Sequence, residues 1–296
     1  MPVDNTVYAF HLKTQTWSPL AATGDVPPPR VGVTMAAVGG TVYMFGGRDQ
    51  DHKELNELYS FDTSAGKWAL LSSGADGPPP RSYHSMAADG DAAGDGGRVY
   101  VFGGCGAAGR LNDLWGYDVA AGRWEQLPPP GEAACRPRGG AGLAVAGGRL
   151  WVVYGFGGEA ELDDVHCYDP ATGRWSAVET AGDKPSPRSV FCAAGIGERV
   201  VVFGGEVDPS DLGHLGAGKF SAEAFALDTG TGAWTRLDDG AAGAGAEHHP
   251  GPRGWCAFAA GEKDGRRGLL VYGGNSPTND RLDDIYFFAP ALEAAS

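Results

Sequence analysis

The 296-residue chain lacks several features that define large classes of protein. No run approaches the roughly 20 apolar residues that a membrane-spanning helix needs. No segment of useful length has the period of an amphipathic helix. The first ten residues, MPVDNTVYAF, contain no basic stretch followed by an apolar one, which predicts no secretory signal. These absences favour an all-β protein with no membrane association.

Cysteine and basic residues are also scarce. The five cysteines are far apart and form no Cys-x-x-Cys pair, which predicts reduced thiols, a cytoplasmic location and no zinc finger. Lys and Arg number 23 against 37 Asp and Glu, a net charge of −14 that disfavours nucleic acid as a partner. A small anionic substrate is compatible with this charge, because a few local arginines can oppose the overall field.

Glycine is abundant, and it recurs in register. A Gly-Gly doublet follows a β-branched or aromatic run five times, and a Pro-Arg pair and a tryptophan mark the same five units. The doublets are Gly46–Gly47, Gly103–Gly104, Gly157–Gly158, Gly204–Gly205 and Gly273–Gly274. The arginines are Arg30, Arg81, Arg138, Arg188 and Arg253, and the tryptophans are Trp17, Trp68, Trp124, Trp175 and Trp234.

The unit length predicts the architecture. Four short strands per unit of about 54 residues are typical of a kelch β-propeller. We call the strands a (after Pro-Arg), b (ending at the doublet), c (Tyr or Phe before Asp) and d (with the tryptophan). The pattern predicts 21 strands, three fewer than six blades require. We therefore expect one domain over residues 1–296, of the six-bladed type, with five full repeats and an incomplete first blade that lacks its N-terminal half.

One loop carries several possible metal ligands. The sequence EVDPSDLGH, Glu206 to His214, directly follows a doublet and combines carboxylates with an imidazole. Oxygen ligands with one histidine suit Fe(II), Mn(II) or Zn(II). The alternative interpretation is a solvated acidic turn.

Several longer segments resemble one family. They include RGGAGLAVAGGRLWVVYGFGG, PRSVFCAAGIGERVVVFGGE and the stretch from Pro252 to Pro290 that ends in PTNDRLDDIYFFAP. Together they are similar to the plant kelch-repeat specifier proteins, which comprise the epithiospecifier, nitrile-specifier and thiocyanate-forming proteins. The resemblance runs along essentially the whole chain.

The resemblance implies a function and a cofactor. Specifier proteins act on the unstable aglucone that myrosinase releases from a glucosinolate, and they divert it from isothiocyanate to nitriles, epithionitriles or thiocyanates. They use Fe(II) at the propeller mouth, held in the pattern Glu-x3-Asp-x3-His. Glu206 and His214 match the first and third positions, whereas Ser210 occupies the second, so Asp211 is the substitute ligand.

The resemblance also implies substrate contacts. Arg48 and Arg110 match arginines expected to hold the sulfate and act in catalysis, and Tyr83 and Trp255 are candidates for contact with the substrate's side chain. The alternatives are surface ion pairs, of Arg48 with Asp49 and of Arg110 with Asp113, and core packing for the two aromatic residues.

Three functions remain open from the sequence. The first is an Fe(II)-dependent, lyase-like conversion of glucosinolate aglucones, paired functionally with myrosinase. The second is a non-catalytic kelch module that binds a protein partner. The third is a diverged relative that acts on another small substrate.

Overall fold

The structure is a computed structural model that describes residues 4–90, 96–131, 134–209, 218–241 and 248–290. The described residues contain no α-helix, and hence none that is long and apolar enough to cross a membrane. They form two compact units, residues 1–139 with 171–174, and residues 140–170 with 175–296. The expectation of a single domain stays a prediction.

The first unit contains a two-stranded sheet and two blades. The two-stranded sheet consists of β1 (Val7–His11) and β2 (Thr16–Leu20). Blade 1 consists of β3 (Thr23–Gly24), β4 (Thr34–Val38), β5 (Thr41–Phe45), β6 (Leu58–Asp62) and β7 (Lys67–Ser72). Blade 2 consists of β8 (Ser85–Asp89), β9 (Arg98–Gly106), β10 (Gly109–Asp118) and β11 (Arg123–Gln126).

The second unit contains three blades and a hairpin. Blade 3 consists of β12 (Gly142–Ala146), β13 (Arg149–Phe156), β14 (Glu161–Asp169) and β15 (Arg174–Val178). Arg174, the first residue of β15, belongs to the first unit. Blade 4 consists of β16 (Ala181–Gly182), β17 (Cys192–Ile196), β18 (Arg199–Phe203), β21 (Ala224–Asp228) and β22 (Ala233–Asp238). The hairpin consists of β19 (Glu206–Asp208) and β20 (Lys219–Phe220), and blade 5 of β23 (Ala257–Lys263), β24 (Arg266–Asn275) and β25 (Arg281–Phe288).

The strand order confirms the predicted repeat. In blade 2, strands pair in the order β11-β10-β9-β8, which is d-c-b-a, and the a, b, c and d strands of blades 1, 3 and 4 follow the same order. The tryptophan of strand d lies opposite a large apolar residue of strand c, which is Phe61 for Trp68, Tyr117 for Trp124 and Leu227 for Trp234. Such cross-strand pairs stabilise a sheet.

The number of blades differs from the prediction. The described residues contain five blades rather than a six-bladed arrangement, because β1 and β2 form a sheet of their own without a and b strands. Blade 5 has three strands, since no d strand follows β25 among the described residues.

The Pro-Arg arginines are buried, and in blades 1, 2, 4 and 5 they tie the strands of the blade together. Arg81 is fully buried, and its Nη1 donates to the Gly103 carbonyl at 3.0 Å. Its guanidinium binds both Asp113 carboxylate oxygens, at 2.7 and 2.8 Å. Bidentate pairing compensates the cost of burying a cation. Three further arginines bind a doublet carbonyl and a carboxylate in the same way: Arg30 with Glu57, Arg188 with Glu223 and Arg253 with Asp284.

The third doublet is displaced from its expected place. In blade 3 the amide of Gly155 donates to the carbonyl of Arg188, as the second doublet glycine does to the next Pro-Arg arginine elsewhere. Tyr154 and Gly155 have φ values of 54° and 108°, close to those of the doublets. Tyr154–Gly155 therefore occupies the structural position that the sequence assigned to Gly157–Gly158.

Candidate functional site

The repeat puts one residue of each blade immediately after the doublet, a place we call the post-doublet position. It pairs with the residue after the Pro-Arg arginine, as in the bridges of Arg48 with Val31 and Glu206 with Ser189. The five residues at this position are Arg48, Cys105, Phe156, Glu206 and Asn275. Two of them, Arg48 and Glu206, are residues predicted to act in the site. The five side chains differ in charge and polarity, so the chemistry of the repeat varies at the post-doublet position.

A second equivalent place, two residues after the Pro-Arg arginine, is left-handed in every blade. We call it the left-handed position, and its residues are Gly32 (φ 64°), Tyr83 (54°), Gly140 (60°), Val190 (49°) and Trp255 (62°). Backbone hydrogen bonds link successive members, from Tyr83 to Gly32, from Val190 to Gly140 and from Trp255 to Val190. A left-handed backbone is unfavourable for any residue with a Cβ atom, so Tyr83, Val190 and Trp255 are held there against their intrinsic preference.

Arg48 and Tyr83 lie in direct contact. The Arg48 Nη2 donates to the Tyr83 hydroxyl at 2.5 Å, and the guanidinium carbon lies 4.9 Å from the centre of the Tyr83 ring. The alternative partner, Asp49, instead accepts hydrogen bonds from the backbone amides of Asp51 and Lys53. Two residues chosen separately from the sequence thus form one unit, with a cation held against an aromatic face.

Arg110 lies beside Cys105, which the sequence did not single out. The two are opposite each other in the β9–β10 pair, and Arg48 and Glu54 also act electrostatically on the Cys105 thiol. Burial raises the pKa of this thiol, and the two guanidinium groups only partly counteract that effect. With its thiol neutral, Cys105 adds no negative charge beside Arg48 and Arg110.

The carboxylate suggested as Arg110's partner is engaged elsewhere. Asp113 binds Arg81 through both oxygens and also accepts from the Trp115 indole at 2.7 Å. These contacts lower the pKa of Asp113 although its burial acts in the opposite direction. Asp113 is therefore part of the buried arginine arrangement of blade 2.

Glu206 is buried at the start of the β19–β20 hairpin. Its backbone pairs with Ser189 in both directions, at 2.9 and 3.0 Å. A Cβ atom added to Gly218 would lie 2.0 Å from Glu206 Oε1, so the absence of a side chain at Gly218 makes room for this carboxylate. The adjacent Asp208 is exposed and pairs with Lys219 at 2.7 Å.

The other two predicted metal ligands, Asp211 and His214, lie outside the described residues. Within the described ranges, no group of three or more His, Cys, Asp or Glu side chains is arranged to hold a metal ion. A buried carboxylate is nevertheless an oxygen donor of the kind that Fe(II) accepts, and Glu206 fits that part of the predicted set.

Trp255 lies near Glu206 in the second unit. The preceding residue, Gly254, has the Phe220 ring beside it, 2.8 Å from where a Cβ atom would stand. Phe220 faces Glu206 across the hairpin, and a Val190 methyl group approaches Gly254 from another side. Trp255 itself is half-buried, and its backbone amide donates to the Val190 carbonyl at 2.9 Å.

The residues that the sequence reasoning missed share one signal. Cys105 follows its doublet as Arg48 and Glu206 follow theirs, so aligning the five units on the doublet would have identified it. Glu54 is different, because its contact with Ser82 at 3.1 Å depends on how the strands pair.

Comparisons with known proteins agree with this architecture. A family model described as the KLHDC2/KLHL20/DRC7 Kelch-repeats domain matches residues 1–205. The chain is 42% identical, over 97% of its own length and 85% of the relative's, to N-(sulfonatooxy)prop-2-enimidothioate sulfolyase of Thlaspi arvense. It is also 29% identical to Kelch domain-containing protein 3 of Bos taurus, over 72% of this chain and 56% of that one.

These matches confirm the predicted all-β kelch β-propeller fold. The match to the sulfolyase spans nearly the whole chain at an identity well above what a shared fold alone requires. The chain therefore belongs to the plant kelch-repeat specifier family.

Proposed function

We propose that this chain acts as a specifier protein, diverting glucosinolate aglucones from isothiocyanate to nitriles, epithionitriles or thiocyanates. The observation that carries the proposal is the 42% identity, across almost the entire chain, to a protein named as a sulfolyase of an N-sulfonatooxy imidothioate. That named substrate is a thiohydroximate O-sulfate, which is the chemical class of a glucosinolate aglucone. Myrosinase would supply it.

The arginine cluster of the first unit suits the sulfate of such a substrate. Arg110 lies opposite Cys105, and both Arg48 and Arg110 act electrostatically on its thiol. Guanidinium groups bind sulfate oxygens through paired hydrogen bonds. As the N–O bond breaks, negative charge grows on the departing sulfate, and fixed cations lower the energy of that step. Tyr83 holds Arg48 by a hydrogen bond and by its ring face, so the guanidinium is oriented before substrate binds.

The metal ligands in this proposal are Glu206, Asp211 and His214, with Fe(II) as the ion. Fe(II) bound there would supply Lewis acidity toward the soft sulfur of the aglucone. Glu206 is held in place by the Ser189 backbone and by the close approach of Gly218.

The role of Arg48 can be tested with purified protein, myrosinase, allyl glucosinolate and Fe(II), with products measured by gas chromatography. We expect Arg48→Gln to lower the protein-dependent nitrile yield by about a hundredfold, because a fixed charge opposite the leaving group is lost. Arg98→Gln is the matched control, since Arg98 forms a surface pair with Glu125 and should leave the yield unchanged. Equal yields from the two variants would contradict the assignment.

The metal assignment has its own measurement. Protein purified and loaded with Fe(II) under anaerobic conditions should hold stoichiometric iron, and Glu206→Ala and His214→Ala should each lose it. Asp208→Asn is the control, because Asp208 is an exposed neighbour paired with Lys219. Iron retained in both alanine variants would show that these residues are not ligands.

A kelch module that binds a protein partner is the second candidate. The family-model match to a general Kelch-repeats domain over residues 1–205 favours it, because that match carries no catalytic assignment. The absence of bound iron at saturating Fe(II), together with nitrile yields equal to a protein-free control, would support this candidate instead of the first.

A further inference from the structure

Two cysteines of the second unit, Cys192 and Cys256, lie together although they are far apart in the sequence. Both are free thiols in the structure. Cys192 begins β17 and Cys256 immediately precedes β23, and these two a strands, of blades 4 and 5, pack against each other. Both side chains belong to one apolar cluster, which also contains Leu269 and Val271 of blade 5. The packing of the two blades therefore creates a pair of thiols.

The two thiols are in direct contact, and the backbone around them holds them there. One thiol is hydrogen-bonded to the other. Next to the pair, the Trp255 amide donates to the Val190 carbonyl at 2.9 Å, which aligns the two segments. A Cβ atom added to Gly274 would lie 2.6 Å from the Cys256 sulfur, so the glycine leaves room for this thiol. Two thiols in contact can reach S–S bonding distance by small rotations of their side chains.

The two thiols differ in their access to solvent. Cys192 is almost fully buried and lies opposite Phe203 of β18, whereas Cys256 is half-buried. Burial raises the pKa of the Cys192 thiol well above its usual value, and the hydrogen bond with Cys256 acts in the same direction. Cys192 thus stays protonated at neutral pH, and Cys256 is the thiol that a small oxidant from solvent meets first.

We propose that Cys192 and Cys256 form a reversible disulfide when a hydroperoxide oxidises the protein. The Cys256 sulfur takes one oxygen atom from hydrogen peroxide, which gives a sulfenic acid and a water molecule. The Cys192 sulfur then attacks the sulfenic sulfur, the S–S bond forms, and the displaced hydroxide leaves with the Cys192 proton as a second water. The two sulfurs together lose two electrons, which the peroxide gains. The bond ties blade 4 to blade 5 and is independent of the proposed function.

The test is peptide mapping of the full chain, treated with excess hydrogen peroxide and then alkylated without reductant. Trypsin releases the two cysteines in separate peptides, residues 189–199 and 254–263. Mass spectrometry should find these peptides joined, with a mass two hydrogen atoms below their sum, and a thiol reductant should separate them. A map of the oxidised protein without the joined pair would overturn the proposal.

The cross-link also predicts a change in thermal stability. It closes a segment of about 60 residues, which lowers the conformational entropy of the unfolded chain. The oxidised wild type should unfold about 5 °C above the reduced protein. Cys256→Ser treated with the same peroxide should show no rise, because it cannot form the bond. A rise of equal size in Cys256→Ser would contradict the proposal.

Cys167→Ser is the matched control. Cys167 is another buried thiol of the second unit, and it lies opposite Trp151 in blade 3. Its replacement should leave both the joined peptides and the rise in unfolding temperature unchanged. Loss of the joined pair in Cys167→Ser would count against the proposal, because the bond would then depend on a thiol outside the pair.

Discussion

His84 is a buried histidine that remains neutral because of its surroundings. Its side chain is almost fully buried, and its ring meets Phe45 edge-on, with centroids 5.3 Å apart. Burial lowers the pKa of His84 to about 3, the nearby Arg81 cation acts in the same direction, and the Phe45 backbone opposes them. The folded protein therefore binds a proton here only in strong acid.

This environment predicts a specific loss of stability in acid. Above the unfolded pKa of about 6.5 both states are neutral at this site and stability is unaffected. Between about 6.5 and 3 the unfolded state binds a proton that the folded state does not, so stability falls by up to about 1.4 kcal/mol per pH unit. His84→Leu should remove this dependence, as measured by denaturant unfolding at several pH values.

His52→Gln is the control for that measurement, because it also removes a histidine but one whose side chain is exposed. Parallel stability curves for His84→Leu and the wild type between pH 6 and 4 would contradict the assignment of this pH dependence to His84.

Individual site residues differ in how far the sequence could reveal them. Arg48 and Tyr83 could be chosen from motifs, and the structure shows them in contact. Their contact could not be foreseen, because 35 residues separate them and the distance depends on how blades 1 and 2 pack. The placement of Glu54 near Cys105 depends likewise on strand pairing rather than on local sequence.

At the scale of the strands, a buried Pro-Arg arginine holds together blades 1, 2, 4 and 5. Arg81 joins the segment before strand a, the end of strand b and the carboxylate of strand c in blade 2. Arg81→Met should cost about 3–5 kcal/mol of unfolding free energy, because Asp113 loses its partner in a largely buried setting. Chemical denaturation of the variant measures this directly.

A double variant distinguishes pairing from simple side-chain loss. Arg81→Met with Asp113→Leu should be less destabilised than the sum of the single changes, since no unpaired charge remains. Replacing the surface residue Arg98 by Gln, which removes its pair with Glu125, should cost less than about 1 kcal/mol. Additive costs in the double variant would contradict the pairing account.

The strands themselves were largely predictable. All 21 strands of the a, b, c and d classes are present among the described residues, because the a, b and d strands are marked by a Pro-Arg pair, a doublet and a tryptophan, and the c strands by an aromatic or aliphatic run. The two-residue strands β3 and β16 were not predicted, since each gains its partner only by lying parallel to the d strand of its blade. Their shared Gly-Asp sequence before the prolines, at Gly24 and Gly182, is the signal that was available.

The displaced third doublet shows where a sequence pattern can mislead. Gly157–Gly158 satisfies the pattern, yet Tyr154–Gly155 makes the hydrogen bond and takes the backbone angles. Tyr154 is fully buried and its hydroxyl donates to the Pro185 carbonyl at 3.1 Å. Those contacts stabilise a left-handed conformation that glycine adopts without help.

At the scale of the whole molecule, the fold and the function have different sources. The kelch propeller follows from the periodicity of glycine, arginine and tryptophan, and many unrelated functions share that architecture. The proposed chemistry depends instead on residues that vary while the framework repeats, among them Arg48 and Glu206 at the post-doublet position and Tyr83 at the left-handed position. The net charge of −14 makes the cationic pair Arg48 and Arg110 a local exception, suited to an anionic substrate.

The ratio of nitrile to isothiocyanate, measured at increasing protein concentration with myrosinase, allyl glucosinolate and fixed Fe(II), tests the central claim most directly. The aglucone rearranges to isothiocyanate without assistance, so the protein-free mixture gives the baseline at the same iron concentration. We expect the ratio to rise with wild-type protein and with Asp208→Asn, and to stay at the baseline with Glu206→Ala. A flat ratio for the wild type would contradict a specifier function for this chain.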